Sequence, residues 1–344
     1  MGEIDHLGLY RITSFLGKGA VWALYEGIGP DSTETVLLKV FRKDLIPQNT
    51  EGNFLSDLQR NFKATALLKH PQIVSACEIE VEDGTPYVVM KKVQGETLQH
   101  LFDQSHHFSV ETSIDIINQL LTILAFSHGE GVVYQGIKPT NVLIQGNGRV
   151  MLTGVGLAEV EAELGGKAEA MDAPWCSAPE HFDGNGVDHR TDIFTVGAIF
   201  YHLMTGEKPF PGNSITTIKH RILHTAPIKV SDLNYQAPRL MDGVIFMALA
   251  KNPEERFQTA AEFLKALAKA ASGRSPADST LGGAEISWHP ERIITDVTLQ
   301  LDNTAQLKAI SQGSILDGKG KWLVLAIAAA IVLTGLVCFL ALND

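Results

Sequence analysis

The hydrophobic period of this chain changes once, near residue 94, and that change limits the fold more than any other feature. Before it, short runs rich in β-branched and aromatic residues recur: LYRITSFLG from Leu9, TVLLKVF from Thr35 and YVVMKKV from Tyr87. One helical stretch interrupts them, around Phe54 to Leu68. After residue 94, Ile114, Ile117, Leu121 and Leu124 recur at three and four residues and mark the buried face of a helix. Asp192 to Met204 (DIFTVGAIFYHLM) is apolar almost all round after its first residue, as a helix in the middle of a lobe would be. A small sheet-rich lobe, about residues 8–93, followed by a larger helical lobe, about 94–268, is an α+β arrangement.

The rest of the chain reads differently. From 269 to 320 Ser, Thr, Gly, Asp and Pro dominate, which predicts a linker, with RIITDVTLQL (292–301) as a candidate strand inside it. Trp322 to Leu342 then runs 21 residues without a charge. As a helix it would be about 31 Å long, the thickness of a bilayer's hydrocarbon core. Lys319 and Lys321 precede this run, only Asn343 and Asp344 follow it, and no secretory signal opens the chain. The expectation is a single-pass C-terminal anchor in the cytoplasmic membrane, with everything before it in the cytoplasm. Ala326, Ala330 and Thr334 lie at helical spacing, which would let two such helices pack as a homodimer.

Composition excludes some partners. With 344 residues, 45% of them hydrophobic and 19% charged, the chain has ample material for a core. A formal net charge of -11 repels phosphate backbones, so no nucleic-acid partner is expected. Cys77, Cys176 and Cys338 are too widely spaced for a zinc knuckle or a disulfide scaffold. His220 and His224 stand four apart but lack an H-E-x-x-H context, so two exposed histidines are expected there.

The chemistry-bearing segments come in a particular order. FLGKGAVWALY (Phe15 to Tyr25) reads as a strand, a Gly-x-Gly turn and a second strand, and such glycines let backbone approach phosphate oxygens. Lys39 follows inside the apolar TVLLKVF. Then come HPQIV (His70 to Val74), YVVMKKVQGETL (Tyr87 to Leu98) and YQGIKPTNVLI (Tyr134 to Ile144). MLTGVGLA (Met151 to Ala158), APE (Ala178 to Glu180), DIFTVG (Asp192 to Gly197) and AKNPEERF (Ala250 to Phe257) complete the series.

In that order and spacing, the chain from about residue 8 to 268 resembles a protein kinase of the bacterial Ser/Thr type. The resemblance implies a two-lobed fold with a nucleotide cleft between the lobes, and ATP as the ligand. It places Leu16, Gly17 and Gly19 in the phosphate loop, with Trp22 where the third glycine would be, and makes Lys39 the lysine on the α- and β-phosphates. Met90 matches the gatekeeper, and Lys91 to Val93 the hinge beside adenine. Lys138 and Asn141 match the catalytic-loop lysine and the metal-binding asparagine. Glu180 and Arg256 match the ion pair that ties the activation segment to the large lobe. A bacterial source would put the anchor in the inner membrane.

The departures are chemical. Where the family has H-R-D, the chain has Tyr134, Gln135 and Gly136; where it has D-F-G, the chain has Gly154, Val155 and Gly156. Nine residues before His70, the position of the glutamate that should pair with Lys39 is Asn61. The missing aspartates accept the substrate's proton and hold magnesium, and glycine does neither. Losing a general base costs about 10²–10⁴ in rate. Asn141 alone is an incomplete metal site, so weak ATP binding with little need of magnesium is expected.

No Ser, Thr or Tyr lies between Leu157 and Trp175, and Gln135 offers no guanidinium to a phosphate. Glu159, Glu161, Glu163, Glu169 and Asp172 in that stretch read as a solvated acidic loop. These residues predict a membrane-tethered pseudokinase, nucleotide-responsive or purely a scaffold, acting on a cytoplasmic signalling protein. The rival is an active, unorthodox Ser/Thr kinase, with Glu159 as the carboxylate nearest Gly154.

Overall fold

The computed structural model describes residues 5–29, 34–46, 56, 58–60, 68–74, 76–157, 161, 164, 173–183 and 186–272. Asn61, the stretch 292–301 and the apolar run 322–342 lie outside the described residues, as does most of the expected helix at 54–68.

The β-rich runs form one antiparallel sheet. Its strands are β1 (His6–Leu7), β2 (Tyr10–Lys18), β3 (Trp22–Ile28), β4 (Thr35–Phe41), β6 (Ala76–Glu82) and β7 (Thr85–Lys91), in the order β1-β2-β3-β4-β7-β6. Alternation decides which face each side chain takes. On one face Ala23, Tyr25, Leu38, Val40, Tyr87 and Val89 form a cluster with Leu7. The other face carries Phe41, Val88 and Met90, packed with Val21, Ile46, Leu58, Leu157 and Leu164. Lys39 pairs with Leu24 on β3 and Val88 on β7, which places it on this second face.

A second, four-stranded sheet has the order β5-β10-β9-β8, from β5 (Ile73–Val74), β8 (Glu96–Thr97), β9 (Val142–Ile144) and β10 (Val150–Thr153). Only its β5–β10 pair is parallel. Asn141 stands just before β9 and Gly154 just after β10, so the β9–β10 hairpin brings the two to the same end of the sheet.

The helical lobe is built from α1 (Leu98–Asp103), α2 (Val110–Gly129), α3 (Glu180–Asp183), α4 (His189–Thr205), α5 (Ile215–His224), α6 (Val230–Leu233), α7 (Leu240–Ala248) and α8 (Ala260–Ser272). Ser109 caps α2 by accepting the Thr112 N–H. The expected face of α2 is present but wider: Ile116, Leu120 and Ile123 are buried with Ile117, Leu121 and Leu124, because α4 and α8 both pack against it. Asp188 caps α4, whose residues from Thr191 to Tyr201 are all buried. Helix α8 runs through Ser272, past the lobe boundary expected at 268.

Gly197 on α4 is a packing requirement. An added Cβ would stand 2.7 Å from the Cβ of Ala248 on α7, an atom with no rotamer to yield. Gly197→Ala should therefore cost about 1–3 kcal/mol through overpacking. A lower urea midpoint with an unchanged slope would show it; an unchanged midpoint would mean that α4 and α7 part at no cost.

Candidate active site

Lys39 is the first functional side chain that the sheet positions. Flanked on β4 by Leu38 and Val40, it points to the opposite face and is only 5% exposed. Its ammonium pairs with the Glu161 carboxylate, and its Nζ lies 4.5 Å from the centre of the Trp22 ring. A lysine buried this deeply needs such partners.

The catalytic loop keeps its frame without its base. Asp192, buried at the start of α4, accepts the backbone N–H groups of Tyr134 and Gln135, each at 2.8 Å, and lies 2.9 Å from His128 Nε2. Those bonds hold Gln135 at φ +54°, a conformation that costs a non-glycine residue about 1–3 kcal/mol. Tyr134 is buried where the family has histidine, and its hydroxyl donates to the Thr153 carbonyl at 3.0 Å, so it ties the loop to β10 as well as filling the core. Burial, and then the charge of Asp192, push the Tyr134 phenol well above its ordinary pKa, so it stays a donor. Val155 is buried too.

The two glycines face one amide. Asn141 Nδ2 donates to the Gly136 carbonyl at 2.9 Å, and a Cβ at Gly154 would stand 2.8 Å from the same nitrogen. Gly154 has φ +78°, in the left-handed region that Asp and Asn tolerate better than most residues. An aspartate at Gly154 would therefore press on the Asn141 amide.

A carboxylate that the sequence reading assigned to a solvated loop is buried against the cleft lysine. Glu161 is 6% exposed; one of its oxygens takes Lys39 and the other takes Lys138 at 2.9 Å. The local reason is helical. Its N–H donates to the Leu157 carbonyl, and Leu157, Glu161 and Leu164 stand at i, i+4 and i+7, all buried. That spacing was the signal available in the sequence. Glu159, Glu163, Glu169 and Asp172 lie outside the described residues.

Burial works to raise the Glu161 pKa, but Lys39 and then Lys138 outweigh it and hold the carboxyl below its ordinary value. Glu180 behaves likewise: burial raises it, and the Arg256 guanidinium overrides that. A carboxyl depressed in the folded state adds stability above its unfolded pKa, near 4.5, and loses it as pH falls through the folded value. Thermal stability should therefore fall steeply below about pH 4.5, and less steeply in Glu180→Gln. Parallel pH profiles for the two proteins would count against this.

Among the expected nucleotide residues, the structure brings Lys39, Met90 and Val93 to one small space of about 120 Å³, together with Asn141 and Gly154. Leu24, Leu37, Val74, Leu143 and Leu157 supply its apolar walls. Leu16, Gly17 and Gly19 do not line it. Leu16 is 48% exposed, and Gly19 closes the β2–β3 turn, its N–H donating to the Trp22 carbonyl at 3.0 Å. The Trp22 indole packs on Gly19 and reaches into the cleft instead. A larger hollow of about 820 Å³ is lined by Ile12, Phe15, Tyr25 and Arg42, but neither Lys39 nor Asn141 lines it.

The donor set does not fit magnesium. That ion takes oxygen ligands, usually one or two carboxylates beside phosphate oxygens. Asn141 offers one amide oxygen, Gly154 offers no side chain, and the Glu161 carboxylate already serves two ammonium groups. No group of three or more His, Cys, Asp or Glu residues suited to a metal occurs among the described residues. His220 and His224 are both exposed, with ring centres 4.9 Å apart. Cys176 is buried, which pushes its thiol up to about 12 and leaves it unreactive at neutral pH.

The family's structural ion pair is intact. Arg256 grips both oxygens of Glu180 at 2.8 Å, donates to the carbonyls of Ala250, Lys251 and Arg190, and lies 4.9 Å from the Phe194 ring centre.

Comparison with known proteins agrees with this geometry. The family model for the protein kinase domain matches residues 10–269. The serine/threonine-protein kinase PknB of Mycolicibacterium smegmatis is 30% identical over 275 residues, covering 78% of this chain and 44% of that protein. The PknB of Mycobacterium tuberculosis gives the same identity and coverage. A probable serine/threonine-protein kinase PknB from Lactococcus lactis is 27% identical over 266 residues, 76% of this chain and 42% of its own length. The chain thus spans less than half the length of these relatives. A sheet lobe presenting a buried lysine, a helical lobe held by Asp192 and the Glu180–Arg256 pair, and a family match over both place this chain in the protein kinase family, in its bacterial Ser/Thr branch.

Proposed function

We propose that this chain is a kinase-family signalling module whose cleft binds a nucleotide weakly and transfers phosphate poorly or not at all. One observation carries the reading. Gly136 and Gly154 stand where a proton acceptor and a metal ligand are needed, and the carboxylate that does reach the cleft, Glu161, is neutralised by Lys39 and Lys138. Family membership implies ATP, usually with magnesium, as the ligand. The apolar slot beside Met90 and Val93 suits the base, whereas the phosphate end offers few free charges. A titration with ATP, with and without magnesium, tests this. Binding weaker than about 100 µM and indifferent to magnesium is expected, at the weak end of the affinity scale; tight, metal-dependent binding would overturn it.

A second reading is an active Ser/Thr kinase, and the names of the relatives favour it over the first. Glu161 is the observation for it, because a carboxylate beside Lys138 is a candidate surrogate for one of the missing aspartates. In that case Glu161→Gln abolishes a measurable phosphotransfer.

Two further proposals rest on sequence alone. The uncharged run 322–342 behind Lys319 and Lys321 serves as a membrane anchor with the kinase domain on the cytoplasmic side, and the domain's partner is a signalling protein there. Protease added outside intact cells should leave the kinase domain whole; its digestion would reverse the assignment.

A further inference from the structure

Lys39 and Lys138 are the cleft cations that nucleotide phosphates would seek, and both are engaged by one internal anion. Glu161 gives one carboxylate oxygen to each lysine. The carboxylate is buried and held ionised by the two ammonium groups, and the Trp22 ring lies 4.5 Å from Lys39 Nζ. Lys39 and Trp22 line an open space of only about 120 Å³, below the roughly 300 Å³ at which pockets for drug-sized ligands begin, and Lys138 and Glu161 stand behind Lys39 rather than in that lining. The free volume lies against the apolar walls and the Met90–Val93 edge, where a flat base would sit.

We infer that Glu161 sets the ligand preference of this cleft: by holding both lysines it favours a neutral adenine nucleoside over the nucleoside triphosphate. This rests on the reading of the cleft as a nucleotide site. A triphosphate brings several negative charges to a place that already holds a buried carboxylate. It either displaces Glu161 from two ion pairs or lies beside it uncompensated, and like charges in a desolvated site repel strongly. A nucleoside meets neither cost, because the base end of the cleft is open and apolar. Each added phosphate therefore weakens binding or leaves it unchanged, the reverse of a cleft in which Lys39 is available to the phosphates.

The test is a calorimetric titration of the full chain with adenosine, AMP, ADP and ATP, without added metal, repeated on Glu161→Gln. Glutamine keeps the size and hydrogen-bonding capacity of the side chain and removes its charge. In the unmodified protein, affinity should stay level or fall from adenosine to ATP. In Glu161→Gln, ATP should gain at least about tenfold while adenosine changes less than about twofold. If the variant does not fold, the ligand series in the unmodified protein decides alone. Binding of ATP about tenfold tighter than adenosine to the unmodified protein, or no gain for ATP in a folded Glu161→Gln, would overturn the inference and leave the nucleotide site standing. No binding of any of the four ligands to either protein would remove the nucleotide site itself, and the inference with it.

Discussion

Truncating Arg256 to alanine should destabilise the chain by about 3–5 kcal/mol, the cost of leaving one partner of a buried ion pair unpaired. The guanidinium is fully buried; its loss leaves the Glu180 carboxylate with the Thr191 hydroxyl, which donates at 2.6 Å, and strips three backbone carbonyls of a donor. Domains of this kind have about 5–15 kcal/mol in total, so this single change removes a large share. Glu180→Ala should do similar damage by leaving the guanidinium uncompensated. The double variant should lose clearly less than the sum of the two, since the second truncation removes the charge that the first left stranded. Urea unfolding of the four proteins measures this. A loss below about 1 kcal/mol for Arg256→Ala, the range of an exposed pair, would mean that the pair is solvated in solution.

Restoring phosphotransfer should need several changes at once. Gly136→Asp supplies a proton acceptor, Gly154→Asp a metal ligand and Asn61→Glu the family's own carboxylate for Lys39 in competition with Glu161, but each alone acts in a site that lacks the other parts. Groups that work as one unit are strongly non-additive, so no single replacement should raise transfer above background, whereas the triple replacement should give measurable transfer. The backbone sets a limit on this repair. Gly154 sits at φ +78°, and an aspartate Cβ there presses on the Asn141 amide, so Gly154→Asp should also cost about 1–2 kcal/mol of stability. Labelled-phosphate incorporation into a generic basic protein separates these cases. Transfer by any one single variant at the level of the triple would show that the other two positions are not limiting.

Much of the fold was legible in the sequence because its two signals are local. Alternation in Trp22–Ile28 and the apolar run of α4 required only the period of burial to be read, and the order of the motifs then fixed where Lys39, Asn141, Asp192, Glu180 and Arg256 would go. The site was less legible because its decisive contact is not local. Glu161 joins Lys39, 122 residues away, and Lys138, 23 residues away, and in a stretch of five acidic residues only its spacing from Leu157 and Leu164 distinguishes it. Trp22 was noted as a misplaced glycine, but its role as the ring beside Lys39 depends on the β2–β3 turn folding the indole back over Gly19. The width of the α2 face was missed for a similar reason: a periodic pattern reports one neighbour, and this helix has two.

Phosphate transfer by the unmodified full chain decides most directly whether this fold still runs the family's reaction. The assay is incorporation of labelled γ-phosphate from ATP with magnesium into a basic acceptor protein and into the chain itself, with Lys39→Met as the control. The expected result is incorporation by the unmodified chain no greater than by the control. Robust incorporation that Lys39→Met abolishes would show an active kinase and contradict this account.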